Sequence, residues 1–597
     1  MKFRELGRFL RRGLSFTPIL AITLALSVLL FSIRVNSSQS FAIAQVPMPP
    51  IQNNPCSALA QRDFSTLPDA ATAILSAQIV SATGQTPEYC GVNGYVTPQV
   101  QFEVRLPTQN WNHRYLQVGC GGYCGSLRAS PECIAALNQN FAVAFGNSGH
   151  VGGGLGAGSA LWGLDQPQLR IDFGYRSEHV TALAAKAIAT AYYGEAPHYS
   201  YFQGCSNGGR QALQEAQRYP NDFNGIIAGA PAAIQALLNG EYETWNARAN
   251  ENAQGNPILP ADKLTLIHQA ALADCDGKDG LVDGQITDPR VCTFKPQSLQ
   301  CPNNQEQANC LTTAQIAVVN KLYGGARDPQ GRLLYPGSQT IGSELAWAGS
   351  IIGTNGMPPF AAQISNSYLK YLAFPQSPPP SFSYRDWQFT AEGFDRLRPL
   401  GEVYNATNPN LTAFRERGGK LILYHGWADP AIPPHGTLTY YQAVQDTMGG
   451  LEAVQQFARL FMLPGMYHCQ GGTGPSQVDW LTPIVAWVEQ GTAPTQIIAS
   501  QTAENSASGG FANPTERSNS NATIIRTRPL FPYPMQARYN GRGSIDNAAN
   551  FTGVMPSQIL NNRIDWIGND LFRPRSVRVN QPWLCRDILP LCLTPFM

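Results

Sequence analysis

A serine set in a glycine-rich turn is the feature that most restricts how this 597-residue chain can fold. The motif Gly204-Cys205-Ser206-Asn207-Gly208 lies between a short apolar run at 199–203 and a helical pattern at 209–219. A G-x-S-x-G motif between a strand and a helix is typical of a sharp turn that exposes the serine hydroxyl at the end of a sheet. Ser206 is therefore a candidate nucleophile, although five residues alone are a weak signal.

Strand and helix patterns alternate along most of the chain. The predicted strands are 99–106, 114–118, 141–145, 199–203, 225–228, 420–424 and 458–463, and the predicted helices are 179–192, 209–219 and 479–490. This alternation predicts an α/β fold with a mostly parallel sheet. Between 233 and 402 the pattern changes to long polar loops with proline runs and four cysteines, which indicates an inserted lid near the carboxyl ends of the strands.

The N-terminus has the composition of an export signal. Basic residues precede an apolar run at 16–33, and Ala42-Ile43-Ala44 follows. This order predicts a signal peptide at 1–44 and a secreted or periplasmic protein with no stable membrane span after cleavage. A retained anchor is the alternative, because the apolar run is just long enough to cross a bilayer. The remaining predicted units are a catalytic domain at 45–232 and 403–555, a lid domain at 233–402 and a C-terminal extension at 556–597.

Charge and cysteine content narrow the class of protein further. The formal net charge is +1 and charged residues make up 14% of the chain, which excludes nucleic-acid binding by bulk charge. Thirteen cysteines in an exported chain predict disulfides, and the odd number leaves at least one unpaired. Two pairs of cysteines that are close in sequence are predicted to form disulfides that close local loops: Cys275 with Cys292, and Cys301 with Cys310. No zinc-type cysteine and histidine spacing occurs.

Two residues downstream of Ser206 complete a candidate catalytic triad. Asp429 follows the strand 420–424 and His468 follows the strand 458–463, which gives the chain order Ser, Asp, His of α/β hydrolases. Cys205 precedes the serine and Cys469 follows the histidine, so a disulfide between them would tie the nucleophile to its base. Two independent buried thiols are the alternative. His425 is interpreted as a packed core histidine.

Four stretches of the sequence together resemble the tannase and feruloyl esterase family of α/β hydrolases. They are 204–210, Gly229-Ala230-Pro231, 424–430 and 464–469, and the resemblance extends from about Cys56 to about Phe551. It implies an α/β-hydrolase core with a large lid and a secreted serine carboxylesterase that acts on small-molecule esters of aromatic acids, such as feruloyl or galloyl esters. Hydrolysis of a terephthalate half-ester is the alternative activity, and a non-catalytic secreted binding protein is the alternative class.

The glycine-rich stretch 119–125 follows the strand 114–118, as expected of a loop that completes an oxyanion hole. The residue after the nucleophile supplies one donor, the Asn207 N–H. The resemblance assigns the second donor to the Cys120 N–H. A merely tight glycine turn is the alternative.

The resemblance also implies a structural calcium ion in the lid and no redox or organic cofactor. The implied calcium ligands are Asp276, Asp279, the Leu281 carbonyl, Asp283 and the Gln285 carbonyl. Carboxylates this dense suit calcium, but the spacing departs from an EF-hand, and a solvated acidic turn is the alternative.

Two side chains are predicted to line the substrate pocket, Phe374 in the lid and Ile432 just after Asp429. Ala361 occupies the lid position where a terephthalate half-ester hydrolase of the family carries a carboxylate-binding arginine. With no cation there, a buried substrate carboxylate would be unpaired. Neutral phenolic esters are therefore the predicted substrates.

Overall fold

The structure is a computed structural model, and it describes residues 54–84, 86–152, 158–503 and 523–575. The predicted signal peptide and most of the predicted C-terminal extension, with Cys585 and Cys592, lie outside these residues. The described residues all belong to a single unit that begins at Asn54.

A nine-stranded sheet forms the centre of the fold, in the order β1-β2-β3-β5-β4-β6-β7-β8-β9. The strands β1, β2 and β3 pair antiparallel, and β3 pairs antiparallel with β5. The remaining pairs in the sheet, which join β5, β4, β6, β7, β8 and β9 in that order, are all parallel. The strands are β1 (Thr72–Val80), β2 (Tyr89–Val96), β3 (Val100–Pro107), β4 (Arg114–Val118), β5 (Ala142–Gly146), β6 (Tyr199–Cys205), β7 (Gly225–Gly229), β8 (Lys420–Gly426) and β9 (Ala458–Leu463).

The parallel strands are apolar because helices cover both faces of the sheet. Every residue of β5 and of β7 is buried, and only the first residue of β8 is partly exposed. Each predicted strand is present, with ends that differ by no more than about two residues, as is usual for boundaries read from sequence. The prediction of an α/β-hydrolase core with a mostly parallel sheet is therefore confirmed.

Helices connect the strands and build the lid. They are α1 (Pro55–Ala58), α2 (Pro131–Asn138), α3 (Pro167–Ile171), α4 (Ser177–Tyr193), α5 (Asn207–Arg218), α6 (Gln235–Leu237), α7 (Glu243–Ala249), α8 (Leu264–Cys275), α9 (Thr313–Gly324), α10 (Phe360–Tyr371), α11 (Ala391–Tyr404), α12 (Thr412–Glu416), α13 (Pro434–Met448), α14 (Leu451–Gln455) and α15 (Leu481–Gln490). Helices α4, α5 and α15 correspond to the three helices predicted from sequence. Among the described residues, no helix combines the length and the hydropathy needed to cross a membrane.

The long connection from β7 to β8 contributes no strand to the large sheet within the part of the chain described. It contains helices α6 to α12, and part of it has a hydrophobic cluster of its own. That cluster includes Leu259, Ile267, Leu311 and Trp347, each no more than 1% exposed. The connection spans the predicted lid at 233–402, although the exact domain boundaries stay a prediction.

Five small strands after β9 were not predicted. They are β10 (Gln477–Val478), β11 (Ile497–Thr502), β12 (Ile524–Leu530), β13 (Gln536–Tyr539) and β14 (Phe551–Val554). The first three pair into one antiparallel sheet, and the last two pair into another. Strands of only two to seven residues give little periodic signal, which explains why sequence reasoning missed them.

The disulfides confirm all three predicted pairs and add two more. The predicted bonds Cys205–Cys469, Cys275–Cys292 and Cys301–Cys310 are present. The two further bonds are Cys56–Cys90 and Cys120–Cys124. Among the described cysteines, Cys133 is the unpaired one, and burial raises the pKa of its thiol to about 12.

Candidate active site

Ser206 lies in a strained turn between β6 and α5. Its backbone has φ 66° and ψ −124°, a conformation that a non-glycine residue rarely adopts. The surrounding glycines permit it: a Cβ on Gly204 would lie 2.4 Å from the Gly208 carbonyl oxygen, and one on Gly209 would lie 2.2 Å from that of Gly229. The motif therefore forms the predicted elbow, with the serine at the carboxyl end of a parallel strand.

The disulfide Cys205–Cys469 joins this turn to the loop that carries His468. The two cysteine Cα atoms lie 5.9 Å apart, so the neighbouring serine and histidine are held on facing loops. Asp429, on the loop after β8, contacts His468 through its Oδ2, 2.8 Å from the histidine Nδ1. The structure therefore brings the three predicted triad residues to the same edge of the sheet.

Asp429 is fully buried and remains an anion. Burial raises its pKa, but the charges and hydrogen bonds of His468 and His425 outweigh this, and the net pKa lies well below its ordinary value. Its Oδ1 accepts the N–H groups of Ala431 and Ile432 at 2.9 and 3.0 Å. A carboxylate held in this way can orient an imidazole and stabilise its protonated form.

His425 contacts the same carboxylate oxygen as His468. Its Nε2 lies 3.2 Å from Asp429 Oδ2 and 2.9 Å from the Ile432 carbonyl oxygen, and its Nδ1 lies 2.8 Å from the Thr437 hydroxyl. The side chain is fully buried, as the interpretation of a packed core histidine requires. Its contact with the triad aspartate was not predicted, although the four-residue separation at a strand end was a usable signal.

The predicted second oxyanion donor, the Cys120 N–H, has a hydrogen-bond partner within the protein. The Cys120 N–H is already engaged, since it donates to the Gln211 Oε1 at 3.0 Å. This contact ties the glycine-rich loop back onto helix α5, and the role of the Cys120 N–H as an oxyanion donor stays a prediction. The Asn207 N–H opens that helix, and its side chain donates to the Cys120 carbonyl at 3.1 Å and to Cys124 Sγ at 3.2 Å.

A buried polar network behind the loop holds Gln211, which sequence reasoning missed. The Gln211 Nε2 donates to Glu178 Oε1 at 2.8 Å and to the Ser148 hydroxyl at 3.0 Å. The other Glu178 oxygen accepts from Gln117 Nε2 at 2.9 Å. Burial raises the pKa of Glu178 despite these donors. The network fixes the loop beside the nucleophile.

The two predicted pocket residues are both packed. Ile432 is 3% exposed, and its backbone is bound to Asp429 and His425 as described above. The Phe374 ring packs against Phe382 and Trp387, with the Arg396 guanidinium 4.8 Å from its centroid, and its carbonyl accepts from Arg170 at 2.7 Å. These contacts place Phe374 in the main hydrophobic core, and its role in substrate binding stays a prediction.

The predicted calcium ligands share one curled loop in the lid. The Asp276 carboxylate accepts the N–H groups of Asp283 and Gly284 at 3.2 and 2.8 Å, and Asp279 accepts the Leu281 N–H at 2.9 Å. Burial raises the pKa of Asp283, the nearby acids raise it further, and Arg528 and Arg526 oppose this. Such a group of hard oxygen donors in one turn fits calcium in its chemistry.

Comparisons with known proteins agree with this geometry. The family model for tannase and feruloyl esterase matches residues 81–554. The mono(2-hydroxyethyl) terephthalate hydrolase of Piscinibacter sakaiensis is 34% identical over 553 residues, which cover 81% of this chain and 87% of the relative. Feruloyl esterase B of Aspergillus niger is 30% identical over 482 residues, which cover 76% of this chain and 83% of the relative.

A solved structure gives the same result at the level of the fold. The crystal structure of feruloyl esterase B from Aspergillus oryzae superposes with a TM-score of 0.70 at 26% identity, and the match covers 83% of this chain and all of the other. This chain therefore shares its overall fold with a protein named as a feruloyl esterase. The chain belongs to the tannase and feruloyl esterase family and is a carboxylic ester hydrolase.

Proposed function

We propose that this protein is an exported serine esterase that hydrolyses neutral esters of phenolic carboxylic acids, such as feruloyl or galloyl esters. The observation that carries the proposal is the Asp429–His468 pair, disulfide-linked through Cys469 to the residue that precedes Ser206. Ester hydrolysis by an activated serine needs a nucleophile, a base and an orienting acid. All three are present on loops at one edge of the sheet.

The reaction follows from these positions. The Ser206 hydroxyl attacks the ester carbonyl while His468 takes its proton, and Asp429 stabilises the resulting imidazolium. The Asn207 N–H, at the start of helix α5, donates to the oxyanion. The imidazolium then protonates the departing alcohol, and an acyl-enzyme remains. Water, deprotonated by the same histidine, releases the carboxylic acid and restores the serine.

The preference for neutral substrates is supported by the positions of two lid cations, Lys370 and Arg385. Lys370 Nζ donates to the Pro380 carbonyl at 3.1 Å on an exposed surface. Arg385 forms two hydrogen bonds with Glu251, at 2.7 and 3.0 Å. Ala361 is fully buried on α10 and offers no charge. A terephthalate half-ester hydrolase remains the second candidate, because a relative of that name is 34% identical.

A substrate panel tests the proposal. Purified enzyme is assayed with methyl ferulate, methyl gallate and mono(2-hydroxyethyl) terephthalate, with Ser206→Ala as the inactive control. Turnover of a phenolic ester above that of the half-ester supports the proposal. Turnover of the half-ester alone identifies the second candidate. If the Ser206→Ala variant keeps the activity of the wild type, the mechanism is contradicted.

Export and calcium binding are part of the same proposal. Cleavage after Ala44 predicts a mature N-terminus at Gln45, which N-terminal sequencing of the exported protein checks. Calcium on Asp276, Asp279 and Asp283, with the Leu281 and Gln285 carbonyls, would brace the lid loop closed by Cys275–Cys292. Elemental analysis and a lower melting temperature after chelation test this; unchanged melting with no bound calcium would reject it.

A further inference from the structure

Two histidines and a glutamate lie close together on the surface, at the amino ends of two parallel strands and opposite the edge of the sheet that carries Ser206. His113 immediately precedes β4, and His198 immediately precedes β6, the neighbouring parallel strand. Glu195 follows the end of helix α4. Ser206 follows the opposite end of β6, so at about 3.3 Å per residue the two sites lie more than about 20 Å apart.

The side chains of these residues converge on one point. His113 Nδ1 lies 3.2 Å from Glu195 Oε1, and His198 Nε2 lies 3.5 Å from Glu195 Oε2. The imidazole rings stack with centroids 4.7 Å apart at an angle of 11°. One nitrogen from each ring and one carboxylate oxygen all lie within 4.8 Å of one another. Ligands about 2.1 Å from a tetrahedral ion would be about 3.4 Å apart. Each imidazole nitrogen lies close to this distance from one of the two Glu195 oxygens.

One ligand atom makes no hydrogen bond within the described residues. The His113 Nδ1 is shielded from solvent and makes no hydrogen bond of acceptable geometry, although it lies beside the carboxylate. A buried nitrogen in this condition costs free energy unless a donor or a cation satisfies it. A metal ion between the imidazoles and the carboxylate would satisfy all three groups together.

A backbone hydrogen bond joins the two histidine-bearing segments before any ion binds. The His198 N–H donates to the His113 carbonyl at 2.8 Å, and the indole of Trp111 stacks on Tyr193 with centroids 3.9 Å apart. The three ligand side chains remain about half exposed, at 45%, 50% and 57%. An ion can therefore reach the site from solution, and little ordering of the chain is needed to bind it.

We propose that His113, Glu195 and His198 form a binding site for a divalent transition-metal ion of the Zn²⁺ class, separate from the esterase site and from the acidic lid loop. Two imidazoles and one carboxylate suit such an ion, whereas calcium and magnesium prefer oxygen ligands. The fourth position is open to water. The bound ion would cross-link the segment before β4 to the segment before β6.

The test is isothermal titration of untagged mature protein with ZnCl₂, in calcium-containing buffer so that oxygen-rich sites are filled. The expected result is one equivalent of zinc, with affinity lowered by about tenfold or more in His113→Ala and in His198→Ala. Glu195→Gln keeps the shape, removes the charge and should also bind more weakly. Glu132→Gln, an exposed acid on α2, is the matched control and should bind as the wild type does.

Two further readouts separate this site from the rest of the molecule. Zinc should raise the melting temperature of the wild type but not of the double variant His113→Ala/His198→Ala. Methyl ferulate hydrolysis without zinc should be the same in both. Zinc binding that survives in the double variant, or no zinc uptake by the wild type, would overturn the proposal.

Discussion

Gln211 accepts the Cys120 backbone N–H at 3.0 Å and thereby connects the helix after the nucleophile to the glycine-rich loop. The same loop is closed by Cys120–Cys124, and the Asn207 side chain donates to its Cys120 carbonyl. The turn that carries the serine and the loop beside it are therefore one hydrogen-bonded unit. Its rigidity depends on a buried amide whose partners are Glu178 and Ser148.

Replacing Gln211 with leucine should destabilise the protein. The change keeps the size of the side chain but leaves the Cys120 N–H without its partner, which costs about 1–3 kcal/mol, whereas Glu178 Oε1 still accepts from Ser148 and Ser177. Thermal unfolding should show a lower midpoint. The control is Gln254→Leu on an exposed turn. Equal midpoints in the two variants would contradict the structural role of Gln211.

Ser206→Ala should abolish ester hydrolysis and leave the fold intact. No other hydroxyl occupies the elbow, so kcat should fall by a factor on the order of 10⁴ or more. Steady-state rates on methyl ferulate measure this, with circular dichroism as the check on folding. Asp429→Asn should be severe but milder than His468→Ala, because the imidazole would remain. Near wild-type turnover in a folded Ser206→Ala variant would remove the serine from the mechanism.

Removing the bond Cys205–Cys469 should reduce activity more than removing Cys301–Cys310. The first bond joins the loops of nucleophile and base, whereas the second closes a local loop of the lid. The double serine variants of each pair are compared for kcat and for melting temperature. A similar loss of kcat from both would show that the first bond contributes only to stability.

Acid should destabilise the protein below about pH 6.5 through buried His150. Burial lowers its pKa from 6.5 to about 4, even though the Tyr123 and Ser148 carbonyls lie 2.7 and 3.2 Å from its nitrogens. Between these values the unfolded chain binds the proton more readily than the folded chain does. Stability present above pH 6.5 is therefore lost as the pH falls toward 4, by about 3 kcal/mol in total from this group.

His150→Gln is the variant that tests this pH dependence. A glutamine does not titrate, so the melting temperature should fall less between pH 6.5 and pH 4 than it does in the wild type. Both proteins should respond alike above pH 7. Parallel curves over the acidic range would exclude His150 as the cause.

The sequence predicted the core well because that part of the chain is periodic and apolar. The strands β4 to β9 are buried on both faces, and the loops that follow β6, β8 and β9 carry the triad. The adjacency of Cys205 to Ser206 and of Cys469 to His468 then gave the long-range pairing of the loops. Those inferences needed only local patterns and chain order.

The parts that could not be predicted depend on tertiary contacts. The engagement of the Cys120 N–H by Gln211 joins residues 91 positions apart through a side chain, and no motif marks it. His425 contacts Asp429 because the strand and the loop after it fold back on each other, and the four-residue separation at the strand end is a local signal of this contact. Phe374 is an aromatic lid residue, and whether it faces a substrate or its neighbours depends on packing that composition does not encode.

The last prediction concerns the charge of the substrate. Lys370 and Arg385 are engaged at the lid surface, and Ala361 is buried and neutral, so none of these three residues would pair with a carboxylate on the acyl ring. An unpaired buried charge of this kind costs several kcal/mol. We expect kcat/KM for dimethyl terephthalate to exceed that for monomethyl terephthalate, a pair that differs only in the free carboxylate. An Ala361→Arg variant should narrow the difference in kcat/KM between the two esters if it folds, although a buried arginine at a fully packed position will lower its melting temperature.

A native preference for the charged ester would instead direct attention to Arg396, whose guanidinium lies over Phe374. In that case Arg396→Gln should abolish the preference, while Arg417→Gln, on an exposed turn, should retain it.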